Sequence, residues 1–194
     1  MKIKIESRSS GHSTFGVPFK KPEIRNSWIV LDFFLEMQLL GRWCWAAISS
    51  KAANYYKGIQ LSQQEVASRT LGIDCSNILN DPEVSEKGNV NTTLDLSLKE
   101  VGCFSHWSLG KPSFERIQHE INLGHPVAFR VEWYQGGAHY AVIKGYDVKG
   151  EQVAVEDSIY GASTQLYADF PRTYSNGGGV WTDTFWLKYQ EQTD

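Results

Sequence analysis

The chain has 194 residues, of which 41% are hydrophobic, 21% charged and 13% aromatic, with a formal net charge of −3. Apolar content at that level, with seven Trp, nine Tyr and nine Phe to bury, excludes a disordered chain and fits one domain or two closely packed lobes. No stretch approaches the roughly eighteen apolar residues of a transmembrane helix, and a near-neutral balance without clustered Lys and Arg argues against a nucleic-acid partner.

In chain order, Met1 to Ser7 alternates charge with isoleucine and reads as a short strand, without the apolar core of a signal peptide. The rest of the first 27 residues is rich in Ser, Lys and Pro and reads as an arm over a domain running from 28 to 194. The expected location is cytoplasmic, or exported without a Sec signal in the manner of an effector. Small residues at Ala46, Ala47, Ala52 and Ala53 predict a helix from about Cys44 to Tyr56, stopped by Gly58. Ser62 and Glu65 form a capping box: the hydroxyl accepts one orphan N–H and the carboxylate reaches back to another. The helix they open should end near Gly72. A third helix is predicted from Asn91 or Thr92 through Leu94 and Leu98, with Gly102 just past its end. Ser113 caps a fourth, in which Phe114, Ile117 and Ile121 share a face and Gly124 ends the run.

After Pro126 the period changes to two. Val127, Phe129, Val131 and Trp133 alternate with Ala128, Arg130 and Glu132, and strand patterns resume over 140–146, 152–155 and 181–189. Segments 73–90 and 171–180 are turn-rich and read as surface loops. Helices first and antiparallel-type strands second predict an α+β fold, with a helical lobe over about 44–124 and a β lobe over about 126–190.

Three cysteines, Cys44, Cys75 and Cys103, lie far apart with no CxxC or CxxH pair. No structural zinc site is expected, and a Cys75–Cys103 disulfide stays open. Cys44 differs from the other two, because it falls in the predicted first turn of a helix, behind the Gly41 loop. Unpaired N–H groups and the helix dipole at that position favour a thiolate. The same placement also fits a buried core thiol. A thiolate nucleophile needs a base, and His139 opens a strand after Gly136 and Gly137, whose missing side chains let the backbone approach a substrate. His12, His106, His119 and His125 lie in an arm, a loop, a helix and a turn. Asp157 ends the next strand, where an antiparallel neighbour would bring its carboxylate to His139; it also fits a turn-capping aspartate. Glu156 should point to the opposite face and so be the wrong partner.

The order Cys44, His139, Asp157, with Gln38 six residues before the cysteine and Trp45 just after it, resembles the papain-like cysteine peptidases. It is most similar to their compact bacterial branch, which includes bacteriocin-processing peptidases and effector proteases. The resemblance extends from about Trp28 to Trp186 and includes Cys44-Trp45-Ala46-Ala47, Ala138-His139-Tyr140-Ala141-Val142 and Gly124-His125-Pro126-Val127. It implies a two-lobe fold with a cleft between the helical lobe and the sheet. Cys44 would be the nucleophile, His139 the general base, Asp157 the group that fixes the imidazole, and Gln38 an oxyanion-hole donor beside the Cys44 backbone N–H. Trp43, Trp45, Gly137, Ala138 and Tyr140 are candidate substrate contacts, with Trp133 and Tyr134 as further groove aromatics. No cofactor or metal is implied, and the expected partner is a protein or peptide substrate, without nucleic acid or membrane. One departure stands out: the branch usually carries Pro after the acidic residue, and here Ser158 follows Asp157.

The same residues serve acyl transfer as readily as hydrolysis, since a thioester does not dictate whether water or an amine attacks it. A transglutaminase, deamidase or amidase is therefore the alternative, and a catalytically silent papain-like binding module is the third reading.

Overall fold

The computed structural model describes residues 27–175 and 177–188. The strand expected over Met1 to Ser7, and the arm after it, lie outside the described residues. The elements in chain order are β1 (Trp28–Val30), α1 (Cys44–Lys57), α2 (Gln63–Leu71), α3 (Pro82–Gly88), α4 (Leu94–Glu100), β2 (Phe104–Leu109), α5 (Phe114–Asn122), β3 (Val127–Trp133), β4 (Ala138–Asp147), β5 (Gln152–Glu156), β6 (Ser163–Leu166) and β7 (Gly179–Leu187).

The helices start and stop where the local chemistry dictates. Gly58 and Gly72 take left-handed conformations after α1 and α2, at φ of 64° and 68°, which a residue with a Cβ adopts only at a cost. The Ser62–Glu65 capping box is complete, and the Ser113 hydroxyl accepts the Arg116 N–H at the start of α5. Segment 73–90 is not wholly loop. Asp81 accepts the Glu83 and Val84 N–H groups and Pro82 occupies the first turn, so the Asn80-Asp81-Pro82 turn signal is the cap of α3. β1, β2 and β6 also form where no strand is expected from period alone.

All strand pairings are antiparallel, and the seven-stranded sheet runs β2-β7-β3-β4-β5-β6. β1 pairs with residues 145–147 of β4, where β3 has already ended. Helices α1, α2 and α4 cover one face through Trp43, Trp45, Ile48, Val66, Leu94 and Leu98, which pack on Ala128, Val142, Phe185 and Leu187 of the sheet. α5 and the 167–174 segment cover the other face, where Ile117, Ile121, Phe170 and Tyr174 meet Phe129, Val131, Ile143 and Trp181. Burial on both faces is why Ala128 is as fully enclosed as Val127 and Phe129, although an alternating strand would expose it. Among the described residues no helix is long and apolar enough to cross a membrane, and no group of three or more His, Cys, Asp or Glu side chains is arranged to hold a metal.

Candidate active site

Three elements converge at the strand ends of the sheet: the first turn of α1, the start of β4 and the turn after β5. Cys44 opens α1 and is 8% exposed. Trp43 precedes it as the N-cap, and its side chain makes no cap bond to the N–H groups of the first turn. His139 is the second residue of β4 and Asp157 the first residue past β5; both side chains are buried.

His139 Nε2 lies 2.9 Å from Asp157 Oδ1. Cys44 adjoins the imidazole closely enough to shift its pKa, and with Nε2 turned to Asp157 the nitrogen left for the thiol is Nδ1. Burial by itself would lower the His139 pKa, but the hydrogen bonds to Asp157 and Cys44 and the charges of both groups overcome it and lift the value to about 9. For Asp157, burial would raise the pKa. The His139 hydrogen bond and charge, with the N–H groups of Ile159 and Tyr160, outweigh that and hold it below the usual range. Those two N–H groups reach Oδ1 at 2.7 and 3.0 Å, so the aspartate both caps its turn and faces the histidine. Tyr174 completes the carboxylate by donating its hydroxyl to Oδ2 at 2.8 Å.

Aromatic rings enclose this pair. Trp133 stacks on the imidazole at a centroid distance of 6.2 Å, Tyr160 meets it edge-on at 6.1 Å, and Tyr174 stacks on Trp133 at 6.0 Å. Exclusion of water strengthens a charged hydrogen bond, because little solvent remains to screen it. Tyr174 and Tyr160 carry no sequence signal for this role, since they reach the site only through the folding of the 158–175 segment.

Gln38 is half-buried on the loop between β1 and α1. Its Nε2 donates to the Leu40 carbonyl at 2.8 Å and its Oε1 accepts the Ser158 hydroxyl at 2.9 Å. Glu156 points away from His139 and pairs with Lys144 at 2.6 Å on the opposite side of the strand, as its position in the period of two requires.

A cavity of about 310 Å³ opens beside Cys44, lined by Arg42, Trp45, Asn91, Thr92, Thr93, Arg130, Ala138 and Tyr140. Of the expected contacts, Trp45, Ala138 and Tyr140 therefore border it. Trp43 does not: it is wholly buried, with its indole N–H on the Gly88 carbonyl at 2.9 Å, and it serves the core. Gly137 is exposed at φ 84° in the turn before His139, where its carbonyl accepts the Trp133 N–H. Two larger hollows, of about 380 and 430 Å³, lie along α1 and α2 and contain neither cysteine nor histidine. Cys75 and Cys103 are buried free thiols, so the disulfide left open by the sequence does not form.

The model of the Peptidase_C39 like family matches residues 30–189. No curated protein matches the chain. Among solved structures, a C39-like peptidase from Bacillus anthracis is 17% identical, with a TM-score of 0.53 over 86% of this chain and 100% of that one. Xylellain, a cysteine protease from Xylella fastidiosa, is 12% identical, with a TM-score of 0.54 over 86% of this chain and 87% of its own. Both share the α+β fold described above.

Proposed function

The chain belongs to the Peptidase_C39-like family, papain-like cysteine proteases, and from that premise we propose that it cleaves a peptide bond in a protein or peptide through Cys44, His139, Asp157 and Gln38. The observation that carries this reading is the meeting of three side chains from separate elements: His139 Nε2 lies 2.9 Å from Asp157 Oδ1, and the same buried imidazole adjoins Cys44 at the start of α1. In a cysteine–histidine pair a protonated imidazole favours the thiolate, the form of a cysteine that attacks a carbonyl carbon.

Attack of Cys44 Sγ on the amide carbon moves an electron pair onto the carbonyl oxygen. The Cys44 backbone N–H and the Gln38 amide donate to that oxyanion. His139 then gives its proton to the leaving nitrogen, the C–N bond breaks, and a thioester remains on Cys44. Water attacks the thioester while the now neutral His139 takes its proton, and the C–S bond breaks to restore the thiolate. Asp157 keeps the imidazole oriented and offsets its positive charge throughout.

Unfolded casein is a suitable first substrate, because it presents many accessible bonds. Wild-type protein should generate new N-termini, and Cys44→Ala should lose at least about 10⁴-fold in rate with its fold intact. Undiminished cleavage by Cys44→Ala would refute the reading. Conjugates with an added primary amine in place of cleavage would reassign the enzyme to acyl transfer.

A further inference from the structure

Ser158 lies between the two halves of the candidate site. It follows Asp157, is 2% exposed, and touches Gln38 twice. Its carbonyl accepts the Gln38 backbone N–H at 3.1 Å, and its hydroxyl donates to Gln38 Oε1 at 2.9 Å. The stretch on either side is tied down separately. Buried Gln63 of α2 donates to the Met37 carbonyl at 2.9 Å and accepts the Leu39 N–H at 3.0 Å.

A primary amide carries two N–H bonds and one oxygen in a single plane, so two fixed contacts define how that plane lies. At Gln38 those contacts are the Ser158 hydroxyl on the oxygen and the Leu40 carbonyl on one N–H. The second N–H is then directed by the geometry of the first two groups. Without the hydroxyl a single contact remains, and the amide swings about its Cγ–Cδ bond. A donor that must reorganise during the reaction stabilises an oxyanion less than one already aimed at it.

We infer that Ser158 is a positioning residue, whose hydroxyl holds the Gln38 amide as a donor to the oxyanion and links it to the turn that carries Asp157. This rests on the peptidase reading above, with Gln38 in the oxyanion hole. Ser158 touches no reacting atom and acts only through Gln38.

Two reactions of Cys44 separate this role from general support of the fold. Hydrolysis of an N-acylglycine p-nitrophenyl ester passes through an oxyanion, whereas alkylation by iodoacetamide uses the same thiolate and develops no oxyanion. In Ser158→Ala, ester turnover should fall about tenfold through kcat with KM unchanged, while alkylation stays within about twofold of wild type. Gln38→Ala should fall about a hundredfold, and adding Ser158→Ala to it should change nothing further. If Gln38→Ala slows the ester and Ser158→Ala does not, the inference fails and the peptidase reading stands. Equal slowing of alkylation in Ser158→Ala overturns it as well, because the hydroxyl then serves the Cys44–His139 pair or the fold. An unaffected Gln38→Ala removes Gln38 from the oxyanion hole and this inference with it. A wild type that hydrolyses neither the ester nor casein overturns both readings.

Discussion

The carboxylate of Asp157 accepts four hydrogen bonds, from His139, the N–H groups of Ile159 and Tyr160, and the Tyr174 hydroxyl. A buried ion is tolerable only when its lone pairs are occupied in this way. Tyr174→Phe removes one donor without changing the ring that stacks on Trp133, so it isolates that bond. A hydrogen bond to a charged group contributes about 1.5–3 kcal/mol, and we expect urea unfolding of Tyr174→Phe to show a loss in that range at neutral pH. A change below about 0.5 kcal/mol would mean that water takes over the bond. At this scale the sequence marks Cys44, His139 and Asp157 as candidates through local signals, a helix start, a double glycine and a strand end, whereas Gln38 enters through the family resemblance. Ser158 and Tyr174 escape such reading. Their contacts span 120 and 17 residues and depend on how a loop returns to the site.

Among the elements, legibility follows the strength of local signals. α1, α2 and α5 have caps, glycine stops or an apolar face within a few residues of one another, and these survive folding unchanged. α3 is hidden because Asp81-Pro82 begins turns and helices alike, and its seven residues are too few for a periodic face. β2 and β6 sit at opposite edges of the sheet with half-buried side chains, so their sequences carry little alternation. Trp43 misleads in the other direction. A tryptophan next to a candidate nucleophile suggests a groove wall, but the N-cap position turns it into the core. β1 is held by the close approach of Gly145, where a Cβ would lie 2.6 Å from the Ile29 carbonyl oxygen and 3.0 Å from Val30 Cα. Backbone cannot yield as a flexible side chain would, so Gly145→Ala should destabilise the protein by about 1–3 kcal/mol and loosen β1. Hydrogen exchange at Leu31, whose N–H bonds to the Lys144 carbonyl, reports that loosening directly. Unaltered protection there would show that β1 contributes nothing to the grip on this segment.

Over the whole molecule, the sheet separates two apolar layers, and the candidate site forms where the start of β4 and the end of β5 meet the first turn of α1. The loop from β1 to α1 spans the same junction. Leu35 N–H reaches Glu156 Oε1 at 3.3 Å, the Lys144–Glu156 pair lies buried beneath it, and Lys144 Nζ sits 3.8 Å from the centre of the Phe34 ring. That anchoring holds Gln38 against the sheet while α1 brings Cys44 from the helical layer. The central claim is that a thiol from one layer and an imidazole from the other share a proton. Alkylation by iodoacetamide, followed for each cysteine by peptide mass in wild type and His139→Ala, tests it most directly. The signs follow from the groups themselves. His139, raised to about 9 against burial by Asp157 and Cys44, stays protonated through neutrality and keeps the Cys44 sulfur reactive. Burial raises Cys75, and Cys103 to about 11, and both are fully enclosed, so neither should react. The account predicts that Cys44 alone reacts fast at neutral pH, where His139 is protonated, and that His139→Ala removes this reactivity. Equal rates at Cys44 in the two proteins at that pH would contradict it.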